Sequence, residues 1–419
     1  MNRLMVVPFA VLIALILTAF LNPIQPVTGE RSSSTSPVVL LKLASAGFAC
    51  LVGFWGLLQS PRVRRVLSGT AGLALCTLAV LFLGTSLVAY GDSANISRAS
   101  ALILVSYLVF AATSLATVGL RTMLGACLAG QTLFLCLAWC VYLLFPSFGQ
   151  FQEYTGEETT VSRMGGVAHP NAIGREAAVL VLLALSALRA GMLRERRRLR
   201  PLIFGGILTL AAMTLVMTIS RTSMLASAAG VAMLFFDRLY SRRGVMLGLA
   251  GMVVLLSGFL VSALTSPDSV ADSVTRSLTK SGDVSELTSL TGRTRIWAEA
   301  IDWIGRRPLT GYGLDSAASV MSKESVGTHN LLLHVTFSGG LMAGGVLLIL
   351  LGATLYLAMT SHNPLTRALM TFVLVAGLVE DTLFPSFPCA LTLLWMSLLL
   401  SAAPRVRSSE ASPESSGGG

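Results

Sequence analysis

Apolar runs of near-membrane length recur along this chain between short polar connectors, and that rhythm limits the folds open to it. A membrane-crossing helix needs about 20 mostly apolar residues. Twelve candidate spans are read at 4–22, 37–59, 68–90, 99–120, 122–146, 176–192, 202–219, 222–237, 244–264, 330–359, 365–380 and 384–402. Three of them (176–192, 222–237 and 365–380) are short. The run 330–359 is long enough to include an interfacial part or a strong tilt. Only 12% of the 419 residues are charged, against about 25% in soluble domains. That leaves too little polar surface to cover a soluble protein of this size. The expectation is an all-α polytopic membrane protein. Residues 1–403 form a single transmembrane helical domain, and the Ser/Gly/Glu-rich stretch 404–419 is a disordered cytoplasmic tail. The first run is read as a retained span, since no small-x-small cleavage site follows it.

Arginine sets the orientation. Arg62, Arg64, Arg65, Arg121, Arg189, the run RERRRLR at 194–200, Arg238, Arg242, Arg243, Arg367, Arg405 and Arg407 fall on connectors that an excess of cations marks as cytoplasmic. Both termini are then cytoplasmic. The net charge of +10 has its account in this rule rather than in nucleic acid. The six cysteines lie in apolar runs without a CxxC pair, and Cys136 and Cys140 read as small buried residues.

What the charge rule leaves over is a set of cations on the outer side, in the loops 148–175 and 265–329 and at Arg221. Arginine within a membrane is expensive. Solvation accounts for Arg276 and Lys323, whereas Arg221, Arg293 and Arg295 read as functional. Arg221, in TISRTSML at 218–225, interrupts what would otherwise be one long apolar run. A tight turn at 220–223 places it near the outer membrane–water boundary, where a planar guanidinium can reach a phosphate group. In the long loop, GRTRIW at 292–297 opens an amphipathic helix. Ile296, Trp297, Ala300, Ile301 and Ile304 have helical spacing, and Trp297 and Trp303 serve as interfacial anchors. Pro308 stops this helix, GYG is a flexible connection, and Arg306 and Arg307 complement the helix dipole.

His329, in THN at 328–330, opens the tenth run and is available for proton transfer near neutral pH. His334 follows about 140° further round a helix, so the two are no metal-binding pair. With no HExxH or DxD pattern, no metal site is expected. In the shorter loop, MGGVAHPNAIGRE at 164–176 is a constrained turn that offers His169 and Asn171, with Arg163 just before it. In the absence of a metal, arginines must neutralise a diphosphate leaving group, and a histidine can deprotonate an attacking hydroxyl. These residue types fit metal-independent glycosyl transfer from a lipid diphosphate.

The motifs SRTS at 220–223, GRxxxW at 292–297, PLTGYG at 308–313 and HN at 329–330, together with HPNAIG at 169–174, resemble in order and placement the O-antigen ligase and polymerase superfamily of bacterial inner membranes. The resemblance covers most of residues 150–360. It implies a GT-C-like membrane glycosyltransferase without a cofactor, with its site facing the periplasm. The donor would be a glycan on undecaprenyl diphosphate. For the ligases the acceptor would be lipid A–core, with inversion at the anomeric carbon and no metal. By motif position, Arg221 and Arg293 would contact the donor diphosphate, and His329 would act as general base or orient the acceptor hydroxyl. Arg295, Trp297, Arg163, His169, Asn171 and Asn330 are candidates for substrate binding. Asp381, in VEDTLFP at 379–385, falls where ligases have an acidic residue, with Glu380 beside it. Gly340 and Gly344 have the GxxxG spacing of close helix packing, where some ligases show GxxG. Ligase is the first reading and polymerase of the same superfamily the alternative. A transporter of lipid-linked sugar is disfavoured, because the spans are nearly free of charge and the polar residues gather at one face. Membrane lipids are expected partners and nucleic acid is not.

Overall fold

The computed structural model describes residues 3–25, 36–89, 93–154, 160–191, 199–235, 293–321 and 327–402. The expected span 244–264, the loop segment 265–292 with Arg276, Lys323 and the tail 404–419 lie outside the described residues.

The helices are α1 (Arg3–Leu21), α2 (Pro37–Gln59), α3 (Pro61–Leu67), α4 (Thr70–Leu87), α5 (Ala94–Thr117), α6 (Gly119–Leu144) and α7 (Pro146–Gly149) in the first part of the chain. After a hairpin come α8 (Pro170–Arg189), α9 (Leu199–Thr218) and α10 (Arg221–Phe235). Then follow α11 (Arg293–Arg306), α12 (Ala317–Val320), α13 (Leu331–Thr360), α14 (Pro364–Gly377) and α15 (Ala390–Ser401). Seven of these (α2, α4, α5, α6, α8, α9 and α13) are long and apolar enough to cross a membrane, and α1, α10, α14 and α15 hold shorter apolar helices. This is the make-up of a polytopic helical membrane protein. Proline opens α2, α8 and α14, where its fixed φ suits the first turn and no amide is lost to the helix.

The core forms around α15, in which every residue from Ala390 to Leu400 is buried. A helix that is apolar all round belongs inside a bundle, and α15 touches α1, α3, α4, α5, α6, α8 and α14. Two polar ties fix its depth. The Trp395 indole N–H donates to Thr354 Oγ1 at 3.0 Å, and Asn22 Nδ2 donates to the Pro388 carbonyl at 2.7 Å. Large side chains such as Leu51, Leu58, Leu144 and Ile349 stand exposed on the outward faces, an apolar surface suited to lipid. Cys136 and Cys140 belong to that outward surface, which corrects the reading of them as buried. They lie one helical turn apart on the same side of α6, so one fate takes both.

The loop 148–175, expected without strands, holds an antiparallel hairpin of β1 (Gln150–Tyr154) and β2 (Thr160–Met164), with Phe151 opposite Arg163. The long run 330–359 is a helix broken at Gly340, where φ is +74°. The PLTGYG segment docks at this break. Tyr312 N–H donates to the Phe337 carbonyl at 2.9 Å, Gly313 N–H to the Ser338 carbonyl at 2.8 Å, and Leu341 N–H to the Pro308 carbonyl at 2.7 Å. Carbonyls and amides freed by the break must find partners away from water, and this segment supplies them. A Cβ on Gly340 would lie 2.3 Å from the Leu309 carbonyl oxygen. Gly340 therefore serves the break rather than the helix–helix approach expected of GxxxG, and GYG is a pinned segment rather than a flexible one.

Helix α11 shows the amphipathic character read from its spacing, but its apolar stripe is covered by protein. Ala300, with Ile296, Trp303 and Ile304, packs against Tyr312, Ala317, Met321 and Phe337. Trp303 stands edge-on to Tyr312, whose hydroxyl donates to the Trp303 carbonyl at 3.0 Å. Trp303 is therefore a packing residue as well as a surface one.

Candidate functional site

Five segments meet at one end of the bundle. They are the start of α8, the turn between α9 and α10, the start of α11 with Arg293, the start of α13, and the irregular stretch after α14 that carries Glu380 and Asp381. Gly174 in the first turn of α8 lets the α9–α10 turn come close, since a Cβ there would meet Ser220 Cβ at 2.6 Å and Thr218 Oγ1 at 2.9 Å.

Glu380 is the hub. Its Oε1 accepts from Arg293 Nη2 at 2.6 Å and from Asn171 Nδ2 at 3.1 Å. Its Oε2 lies 3.6 Å from His329 Nδ1, longer than an ordinary hydrogen bond. Burial pushes the Glu380 carboxyl up. The polar interaction with His329 and the positive charges of Arg293 and Arg175 outweigh that push and hold it below the usual carboxylate range. His329 is raised above its ordinary value, first by the Glu380 carboxylate, while burial works the other way. An ionised carboxylate beside a readily protonated imidazole is the result.

A second layer holds Asn171 in place. Arg163, 3% exposed, commits every nitrogen. Nε donates to the Thr218 carbonyl at 2.7 Å, Nη1 to Glu153 Oε2 at 2.5 Å and Nη2 to Asn171 Oδ1 at 2.7 Å. Read as a substrate-binding candidate, Arg163 is a tie that joins the hairpin, α8 and the α9–α10 turn. His169 caps α8, its Nδ1 accepting from Asn171 N–H at 3.2 Å, and its ring packs edge-on against Phe151. The residue is otherwise exposed. Crowding by protein and the Arg163 charge push its imidazole down to about 4, so it stays neutral. Asn330 caps α13, with Oδ1 accepting from Leu333 N–H and Nδ2 donating to the Leu378 carbonyl at 2.8 Å. Both ends of that amide serve the backbone.

The remaining candidates are placed less centrally. Arg221 opens α10 directly after the turn that Arg163 grips. Arg295 is exposed on α11. The half-buried Trp297 has an indole N–H without a hydrogen-bond partner among the described residues. Asp381 lies beside Glu380, with Oδ2 3.8 Å from His334 Nδ1, so both histidines face the acid pair. Reading residues in sequence missed Glu380 as the hub, along with Glu153, Arg175 and His334. The adjacent acids in VEDTLFP were the available signal for Glu380.

His329, Glu380 and Asp381 each offer a ligand atom, all within 4.8 Å of one another. These are donors of a kind that can hold a cation, yet Arg293 already brings a positive charge to Glu380. Among the described residues, the only non-glycine residues with positive φ are Ile219, Asp315 and His329, at +49°, +59° and +47°. A β-branched residue there is an outlier. Such strain, about 1–3 kcal/mol each, persists where surrounding structure enforces it and gathers at functional sites. Ile219 immediately precedes Ser220 and Arg221, and His329 is itself a site residue.

A comparison with curated proteins gives no match. A family model described as O-Antigen ligase matches residues 206–349, from within α9 to within α13. The match makes residues 206–349 similar to that family, and it supports glycan handling of the ligase or polymerase type.

Proposed function

We propose that the protein is an O-antigen ligase of the bacterial inner membrane. It would take a glycan from undecaprenyl diphosphate to lipid A–core at the periplasmic face, with inversion and without a metal. The observation that carries this reading is the convergence of the Arg293 guanidinium and the His329 imidazole on Glu380. His329 takes the proton of an acceptor hydroxyl while its Nδ1 side faces Glu380. The hydroxyl oxygen forms a bond to the anomeric carbon as the bond from that carbon to the diphosphate oxygen breaks. Arg293 and Arg221 stabilise the charge that grows on the departing diphosphate, the kind of preorganised electrostatics that lowers such barriers most. Arg295 and Trp297 would meet the donor and Asp381 the acceptor, with the buried His334 behind Asp381. Arg163, His169, Asn171 and Asn330 hold these groups in position.

Deletion of the gene followed by gel analysis of lipopolysaccharide tests the reading. Bare core with polymer still built on its carrier is expected. Core bearing a single repeat unit would instead identify a polymerase. Chelation with EDTA should leave transfer by the purified protein unchanged. Loss of activity that a divalent ion restores would assign the His329, Glu380 and Asp381 donors to a metal.

A further inference from the structure

Helices α6, α8 and α14, which lead into the candidate site, line a separate, open-sided cavity of about 700 Å³ at their opposite ends. Helix α8 alone, at about 1.5 Å per residue over its 20 residues, sets the two places about 30 Å apart. Arg121, Leu124 and Leu128 line it from α6, Ser186 and Arg189 from α8, and Asn363 where α14 begins.

The chemistry of this lining is divided. Arg121 and Arg189 bring positive charge from different helices. Arg189 is anchored by a hydrogen bond to the Leu234 carbonyl. The buried Ser186 hydroxyl has no hydrogen-bond partner among the described residues. Asn363 caps α14, so the positive end of that helix faces the same space. Among the described residues no acidic side chain lines the cavity, and leucines form much of its wall. A small anion would leave the leucine wall unused. A zwitterionic headgroup would bring its own cation against the arginines. Cationic pockets between membrane helices suit anionic headgroups.

We infer that this cavity binds one anionic glycerophospholipid, its phosphate between Arg121 and Arg189 and an acyl chain along Leu124 and Leu128. The site is independent of the proposed glycan transfer.

The test uses the full-length protein in detergent, titrated with phosphatidylglycerol or phosphatidylcholine and read by native mass spectrometry. One phosphatidylglycerol should be retained, at least about fivefold more tightly than phosphatidylcholine, and inorganic phosphate should not displace it. Arg121→Gln should weaken retention about fivefold, the share of one arginine near an anionic headgroup. A Cβ on Gly125, which also lines the cavity, meets nothing within 4 Å. Gly125→Leu should therefore fill the space and abolish retention while the protein elutes as a folded species. Equal retention of the two lipids, displacement by phosphate, or unchanged retention in Gly125→Leu would overturn the inference.

Discussion

The arginines at the two ends of this bundle live in different surroundings. Arg62, Arg64, Arg65 and Arg121 are exposed at one end. At the other, Arg163 and Arg293 are mostly buried, and each lies within 2.6 Å of a carboxylate. Arg175, at the start of α8, also lies 3.5 Å from Glu176. The first group follows the rule that orients membrane chains. The second is costly to bury and persists because partners surround it. Buried pairs such as Arg163–Glu153 and Arg293–Glu380 stand at the end where chemistry is proposed.

Substitutions can break this contrast, and the largest effects belong to the paired end. His329→Ala and Arg293→Ala should each lower transfer on the order of 10³-fold with membrane insertion intact. Full activity in a purified transfer assay would remove both from the site. Glu380→Gln should shift the pH profile. The carboxylate holds His329 above its ordinary value, so neutral imidazole accumulates only at higher pH. Without that charge the acid limb of kcat/KM should move to lower pH, and an unmoved limb would separate Glu380 from His329. Arg163→Ala should act on stability before chemistry, costing about 2 kcal/mol because Glu153 is partly exposed and softens the loss. A lowered Tm with near-normal kcat per folded molecule checks this. Arg306→Ala should be the mildest. Its pair with Asp302 is exposed and spans one turn of helix, so a change in Tm or activity beyond a small decrement would mean Arg306 has another role.

The sequence made the helical spans legible because apolar length is a strong local signal. The positions of Arg221, Arg293 and His329 were legible for the same reason, since charge stands out against apolar runs. Other features depended on backbone geometry that no spacing encodes. Which of Glu380 and Asp381 faces His329 is decided by an irregular turn. Arg163 became a structural tie through a hairpin whose short strands, QFQEY and TVSRM, resemble ordinary loop. Gly340 looked like a packing glycine because its spacing to Gly344 is real, whereas its conformation was visible only in the fold.

The break at Gly340 has a mechanical consequence. It clamps the segment that leaves α11, and so the arm bearing Arg293, onto the helix that begins just after His329. Guanidinium and imidazole are thereby mounted on a common chassis. A shift of α13 at that break would therefore carry both groups together relative to Glu380 and Asn171.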